Sequence, residues 1–206
     1  MCIAGVVVLY NPDYEVLSNI RSYIEELDVL YALDNSDVVN EKLILKLKEM
    51  PRIKYISMGR NRGVSYALNY ALKATEFYQF LLTMDQDSKF YSGMMKKYKA
   101  ILHDNYSNDN SIAMYAVNVN SFEETNCVPV IVDHAITSGF VVNVQIANEL
   151  GGLDDNLFID EVDDEFCYRA QRHGYKILKL PNVCLFHHLD NPIQGSFFGR
   201  KFTAYI

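Results

Sequence analysis

Two aspartates separated by one residue follow an apolar stretch of the chain, residues 80–84. Side chains i and i+2 of a strand point to the same side, so the carboxylates of Asp85 and Asp87 can reach one point at the end of a buried strand. Acids at one point repel each other unless a cation lies between them, and Mg²⁺ binds carboxylates together with phosphate oxygens. The spacing fits a metal bridge to a diphosphate. The alternative is an acidic turn that ends a strand, which is the commoner origin of an isolated Asp-x-Asp.

A second group of acids lies at the start of a predicted helix late in the chain, and Asp160 is its predicted N-cap. The helical spacing of the apolar residues that follow places Asp163 at the edge of the buried stripe, nearer the interior than Asp164. A carboxylate held there can accept a proton as a general base. Acids in a first turn more often only interact with the helix dipole, so the pattern leaves both interpretations open.

His187 and His188 end an apolar strand near residue 190. A histidine in such a position is commonly a hydrogen-bonded residue at the rim of a sheet. Beside two aspartates that could hold a cation, one imidazole is also a candidate third ligand.

Strands and helices alternate over the first half of the chain. Apolar strands are predicted at residues 2–9, 29–33, 53–56 and 77–84, and helices at residues 13–27, 41–50 and from 63 onward. This order predicts an α/β fold with a mostly parallel sheet and helices on both faces. Ligands bind such sheets beyond the carboxyl ends of the strands. Polar residues follow three of these strands: Asn11, Asp34 with Asn35, and Asp85 with Asp87.

The second half is less regular, but no internal repeat or linker interrupts it. We predict helices at residues 91–102 and 145–150 besides the acidic one. Strands are predicted at residues 112–119, 128–136, 140–144, 176–180 and 183–186, with a turn around residues 123–126. The simplest interpretation is one continuous domain with two lobes.

Composition and missing motifs exclude several classes of protein. The net charge of −7 argues against nucleic acid as a partner. Four scattered cysteines, without a C-x-x-C pair or a signal peptide, fit a reducing cytoplasm. No apolar run is long enough to span a membrane, although peripheral attachment to its inner face stays open. The phosphate-loop, G-x-G-x-x-G and G-x-S-x-G motifs are absent, which counts against kinases, GTPases, dinucleotide oxidoreductases and hydrolases.

Taken together, five motifs in order resemble a family 2 glycosyltransferase of the GT-A fold, and most closely its bacterial rhamnosyltransferase branch. The resemblance extends from the first strand to His188. The motifs are the segments at residues 7–12, 34–36, 61–63, 85–88 and 158–169.

The resemblance implies a single Rossmann-like, mostly parallel sheet with a smaller lobe on the acceptor side. Residues 1–103 would form the half that binds the nucleotide sugar, residues 104–190 the acceptor and catalytic half, and residues 191–206 the start of a C-terminal tail. The implied reaction moves a sugar, with inversion, from a dTDP- or UDP-sugar to a glycan or lipid-linked hydroxyl. Mg²⁺ or Mn²⁺ is the implied cofactor, and rhamnose is the implied sugar.

The resemblance also assigns roles to single residues. Those implied to bind the donor are Tyr10, Pro12, Asp34, Asn61, Asp85, Ser138 and Gly139. Those implied at the metal are Asp85, Asp87 and either His187 or His188. Asp163 is implied as the base.

The chain departs from the family at Asp190, where relatives often have glycine, and in its short tail. A rival interpretation is a sugar-nucleotide pyrophosphorylase, which should carry a glycine-rich loop with arginine after the first strand. Residues 10–13 read Tyr-Asn-Pro-Asp instead. Another rival is a degenerate, non-catalytic binding module. The short tail favours it, whereas the intact Asp85, Asp87 and Asp163 oppose it.

Overall fold

The structure is a computed structural model that describes residues 1–106, 109–121, 128–188, 192–197 and 200–205, the last two ranges by their backbone. The strands are β1 (Ile3–Leu9), β2 (Val29–Asp34), β3 (Ile53–Ser57), β4 (Phe80–Asp85), β5 (Ser88–Phe90), β6 (Ile112–Val119), β7 (Val130–Val132), β8 (Val141–Asn143), β9 (Lys176–His187), β10 (Pro192–Phe197) and β11 (Arg200–Tyr205). The helices are α1 (Glu15–Arg21), α2 (Glu41–Glu49), α3 (Val64–Ala74), α4 (Met94–Ile101), α5 (Val144–Glu149) and α6 (Val162–Arg172). No helix within these ranges has both the length and the apolar character needed to cross a membrane.

One sheet organises the described chain, in the order β3-β2-β1-β4-β8-β6-β9-β5, with β7 paired to β9. The first four strands are parallel to one another. β8 is antiparallel to both β4 and β6, so β6 and its parallel neighbour β9 run in the same direction as the first four. Only β5, β7 and β8 run the other way. The predicted α/β architecture with a mostly parallel sheet is therefore confirmed.

Helices cover both faces of the sheet. Alternate residues of β1 point to opposite faces, so Ile3 and Val7 belong to a buried cluster with residues of α1, α2 and α4, whereas Ala4 and Val6 belong to one with residues of α3, α5 and α6. All four residues are fully buried. This two-sided burial explains why the strands are apolar without alternation.

Several predicted elements differ from the structure. The predicted helix at 13–27 is α1, which ends at Arg21, and a separate 3₁₀ turn at Ile24–Glu26. Of the predicted strand at 128–136, only β7 forms, and the predicted turn at 123–126 lies outside the described residues. Asp160 is not the N-cap of α6: Glu161 takes that position with φ 64°, and its carbonyl accepts the Glu165 N–H.

The two strands predicted at 176–180 and 183–186 are one strand, β9. Pro181 and Asn182 separate the two predicted strands, and a proline cannot donate to a neighbouring strand. The register instead shifts from Val117 opposite Leu180 to Asn118 opposite Cys184, so the extra residues form a bulge. The buried amide of Asn118 donates to the Pro181 carbonyl at 2.6 Å and holds this bulge in place.

Candidate active site

The carboxyl ends of parallel strands bring the predicted residues to one edge of the sheet. Leu9 at the end of β1 lies opposite Asp34 at the end of β2. Val8 lies opposite Asp85 at the end of β4. β9 runs in the same direction and ends at His187. The edge therefore collects groups from both halves of the sequence.

Asp85, Asp87 and His187 form one cluster, in which one ligand atom of each lies within 4.8 Å of the others. Asp87 Oδ1 is buried, and among the described residues it has no hydrogen-bond partner, although His187 Nδ1 is 3.4 Å away. Ser88 Oγ lies 2.5 Å from the same Nδ1 and orients the ring. A buried carboxylate oxygen without a hydrogen bond, beside a second acid and an imidazole, fits a divalent cation.

The raised pKa of Asp85 also favours a bound cation at this cluster. Burial, together with the charges of Asp87 and Asp163, raises the pKa of Asp85 to about 6, against the lowering effects of His187 and of a hydrogen bond with Ser138. The negative charges beside Asp85 disfavour its ionised form. A bound cation would relieve that repulsion.

His188, the other candidate ligand, does not join this cluster in the described part of the chain. Its side chain is exposed and lines a cavity of about 280 Å³. Asn11, Asn19 and Asp87 line the same cavity. Of the two adjacent histidines, the structure thus places His187 with the acids.

Asp163 is half-buried, whereas its neighbour Asp164 is exposed, as the helical pattern predicted. Asp163 Oδ2 accepts hydrogen bonds from the Thr137 backbone N–H at 2.9 Å and from Thr137 Oγ1 at 3.2 Å. Asp163 Oδ1 accepts from the Asp164 N–H at 3.1 Å. These donors fix the orientation of the carboxylate, and Thr137 is followed by Ser138, which contacts Asp85.

Ser138 contacts Asp85, and Gly139 follows it in the chain. Ser138 is buried, and its Oγ accepts from the Asp85 backbone N–H at 3.3 Å. Gly139 has φ 81°, and a Cβ there would come within 1.9 Å of a Leu185 methyl group, so only glycine fits. Ser138 also lines a cavity of about 410 Å³ together with His134, Asp164 and Lys179.

Asp34 is almost fully buried, and protein donors engage both of its oxygens. Ser36 N–H donates to Oδ1 at 2.9 Å and Tyr55 OH donates to Oδ2 at 2.7 Å. Burial and the bond to Asp34 raise the pKa of Tyr55, which keeps its hydroxyl protonated. A carboxylate has about four acceptor positions, so Asp34 retains capacity for a ligand.

The remaining predicted donor-binding residues border the same edge. Tyr10 is 46% exposed just beyond β1, and Pro12 is buried after it. Asn61 Oδ1 accepts from the Gly63 N–H at 3.0 Å, and the Gly63 carbonyl accepts from Asn35 Nδ2 at 3.0 Å. This network joins the ends of β1 and β2 to the start of α3.

Three residues of the site were not predicted: Gln86, Asn120 and Thr137. Asn120 follows β6, so the rule that polar residues at the carboxyl ends of strands mark the site would have found it. Gln86 lies inside the Asp-x-Asp motif, where only the acids suggested chemistry. The contact of Thr137 with Asp163 had no signal in the sequence.

Comparisons with known proteins agree with this geometry. The family model described as glycosyl transferase family 2 matches residues 6–129. The dTDP-rhamnosyl transferase RfbF of Shigella flexneri is 26% identical over 205 residues, covering 90% of this chain and 68% of that protein.

Solved structures share the fold. GalNAc-T7, solved with UDP, GalNAc and Mn²⁺, superposes with a TM-score of 0.75 at 15% identity, over 91% of this chain and 44% of that one. S. aureus TarS superposes with a TM-score of 0.70 at 14% identity, over 92% of this chain and 37% of that one. The chain thus spans less than half the length of these two proteins. Both are GT-A glycosyltransferases, so the predicted GT-A fold is confirmed.

The family model covers more than half of the chain, and the fold and the curated relative agree with it. The chain therefore belongs to glycosyl transferase family 2, and it is similar to the bacterial rhamnosyltransferases of that family.

Proposed function

We propose that this chain transfers a sugar, with inversion, from a nucleotide diphosphate donor to a hydroxyl of a glycan or lipid-linked acceptor. The observation that carries the proposal is the cluster of Asp85, Asp87 and His187 at the carboxyl edge of the sheet, to which Asp163 is connected through the adjacent residues Thr137 and Ser138. One end of this arrangement suits an anionic leaving group held through a cation. The other end offers a base to the attacking hydroxyl.

Asp85, Asp87 and His187 would hold Mg²⁺ or Mn²⁺. When bound, the cation neutralises the negative charge that develops on the leaving diphosphate. Ser88 keeps the His187 ring in place through Nδ1, so the imidazole is presented in one orientation. The nucleoside would lie beside Tyr10, Pro12, Asp34 and Asn61, which border the same edge.

Asp163 would act as the general base. The acceptor oxygen forms a bond to the anomeric carbon while the bond from that carbon to the diphosphate oxygen breaks, and the hydroxyl proton passes to the Asp163 carboxylate. Thr137 and the Asp164 N–H orient the carboxylate for this transfer. Ser138 and Gly139 would contact the transferred sugar between base and metal.

We propose dTDP-rhamnose as the donor, because the curated relative is a dTDP-rhamnosyl transferase. The alternative donors are UDP-sugars, since a structure of S. aureus TarS residues 1–349, similar to this chain with a TM-score of 0.67, holds UDP-GlcNAc.

The first test is turnover of the donor. With Mn²⁺ present, the chain is expected to release dTDP from dTDP-rhamnose slowly in water and faster when an acceptor glycan is added. EDTA should stop both reactions, since the diphosphate would lose its counter-charge. Chromatography of the released nucleotide measures the rate, and UDP-GlcNAc and GDP-mannose serve as comparison donors. Binding of a sugar nucleotide without any release, with or without acceptor, would instead identify a non-catalytic binding module.

A second prediction concerns Asp34. Asp34→Ala is expected to weaken the binding of free dTDP and of dTDP-rhamnose alike, by about 1.5–3 kcal/mol for a lost hydrogen bond to a charged group. The matched control is Tyr55→Phe, which removes one donor to Asp34 and leaves the carboxylate in place. Calorimetry measures both affinities, and thermal unfolding reports any loss of stability. A loss of affinity for the sugar nucleotide alone would place Asp34 near the sugar instead.

A further inference from the structure

The side chain of Gln86 makes two hydrogen bonds to the backbone of one residue at the end of β1. Its Oε1 accepts from the Tyr10 N–H at 2.9 Å, and its Nε2 donates to the Tyr10 carbonyl at 3.1 Å. Gln86 lies between the two acids of the metal cluster, whereas Tyr10 lies on the nucleoside side of the site. The amide therefore connects two parts of the site that come from different strands.

The sheet explains why a side chain is needed there. The pairing of β1 with β4 ends at Val8 opposite Asp85. Beyond Asp85 the chain turns away to form β5, where Ser88 lies opposite His187 of β9. The backbone N–H and carbonyl of Tyr10 therefore have no residue of β4 opposite them to form the next pair of hydrogen bonds. A glutamine amide carries one acceptor and a donor group, as a peptide unit does, and takes the place of the next pair.

Both ends of this connection are held by further contacts. The Gln86 carbonyl accepts from Asn19 Nδ2 of α1 at 2.9 Å, and Asn19 is buried. On the other side, the N–H of Asn11, whose φ is 46°, donates to Ser36 Oγ at 2.7 Å. The amide of Gln86 is therefore a link between two anchored segments.

We propose that Gln86 is a positioning residue that fixes the nucleoside-side segment at Tyr10 relative to the cluster of Asp85, Asp87 and His187. The inference rests on the proposed function, because it requires one nucleotide diphosphate to contact both parts. A ligand that bridges a metal and a nucleoside pocket binds best when their separation is preset. Gln86 then increases the coupling between the metal and the nucleotide, which is the factor by which each raises the affinity for the other.

Asn120 offers a matched comparison within the same site. Its side chain also makes two hydrogen bonds to the backbone of one residue: Nδ2 donates to the His187 carbonyl at 2.7 Å, and Oδ1 accepts from the His187 N–H at 2.9 Å. This amide holds a metal-cluster residue and does not contact the Tyr10 segment. Removing it should therefore lower the affinity for the metal itself.

The experiment measures the affinity for Mn²⁺ alone, for dTDP in EDTA, and for dTDP in saturating Mn²⁺, by calorimetry on the whole chain. Gln86→Met keeps the length of the side chain without its hydrogen bonds, and Gln86→Ala removes it. Both variants should bind Mn²⁺ alone and dTDP in EDTA as the unaltered protein does. The gain in dTDP affinity on adding Mn²⁺ should fall by about fivefold or more, within the usual range of coupling between sites. Asn120→Ala should instead weaken Mn²⁺ binding.

Each outcome decides one of the two proposals. If the unaltered protein shows no coupling between Mn²⁺ and dTDP, the proposed function is wrong, and the inference about Gln86 is wrong as well because it rests on that function. If the unaltered protein shows coupling and both Gln86 variants retain it in full, only the positioning role is overturned. A loss of Mn²⁺ affinity in Gln86→Met as large as that in Asn120→Ala would also overturn it, because the amide would then only order the acids. Thermal unfolding of each variant identifies any that does not fold, and the remaining Gln86 variant then supplies the result.

Discussion

Asp163→Asn is expected to lower the rate of sugar transfer by about 10²–10⁴-fold, the usual cost of removing a general base. An amide cannot accept the proton of the acceptor hydroxyl, although its oxygen can still accept the hydrogen bonds that Thr137 donates to Asp163. Donor affinity should barely change, because the proposed metal and nucleoside sites consist of other residues. Transfer rates at saturating donor and acceptor, with donor affinity from calorimetry, separate the two effects.

Two neighbours of Asp163 serve as controls. Asp164→Asn makes the same change at an exposed residue. Asp164 lines the 410 Å³ cavity together with Ser138, so this substitution should alter only the KM for the acceptor. Asp160→Asn changes an exposed acid just before α6 and should leave both constants unaltered. Equal kcat values for Asp163→Asn and Asp160→Asn would contradict the catalytic role. Asp163 would then be only a first-turn acid whose charge interacts with the helix dipole.

The order of elements could be predicted because each strand and helix carries its own pattern. Uninterrupted apolar runs identified β1, β2 and β4, and their parallel arrangement followed from the helices between them. Predictions of where elements begin and end were wrong where contacts between distant residues outweigh the local sequence pattern. Pro181 suggests a strand end, yet the buried Asn118 amide and the shift in register carry β9 past it. The N-cap was misplaced because Glu161 takes a left-handed conformation that its residue type does not predict.

Asp34, Asp85 and Asp87 could be predicted because they lie at the ends of strands that must meet at one edge of the sheet. The histidine could not be chosen from the sequence, since adjacent residues of a strand point to opposite sides and either assignment fits. Pairing of β5 with β9 decides it, by placing Ser88 opposite His187. Gln86, Asn120 and Thr137 act through hydrogen bonds between segments that are distant in the chain, which no local pattern reveals.

Asp87→Ala is expected to lower the affinity for Mn²⁺, and with it the affinity for nucleotide diphosphate. Replacing residues that only support metal ligands costs about 10–100-fold in metal affinity, so the loss of a ligand should cost at least as much. EDTA should weaken dTDP binding in the unaltered protein to the level of the variant. Calorimetric titration with Mn²⁺, and with dTDP in the presence and absence of EDTA, provides the measurement.

Stability should change little. The charge of Asp87 repels that of Asp85, but Asp87 Oδ1 also lies 3.4 Å from His187 Nδ1. Asp87→Ala removes both the repulsion and this contact, and the two effects oppose each other. In the absence of metal, Asp87→Ala should therefore unfold at about the same temperature as the unaltered protein. Weaker dTDP binding together with a lower melting temperature would instead indicate general damage to the fold.

The two adjacent histidines allow a specific test of which residues form the proposed metal site. His187→Ala is expected to lower Mn²⁺ affinity as Asp87→Ala does, because His187 belongs to the cluster whose ligand atoms lie within 4.8 Å of one another. His188→Ala removes the same side chain one residue later, from an exposed position outside that cluster, and should leave Mn²⁺ affinity unchanged. A loss of affinity in His188→Ala alone would transfer the role of ligand to His188. If neither histidine variant nor Asp87→Ala altered Mn²⁺ or dTDP binding, these residues would not form a metal bridge to the diphosphate.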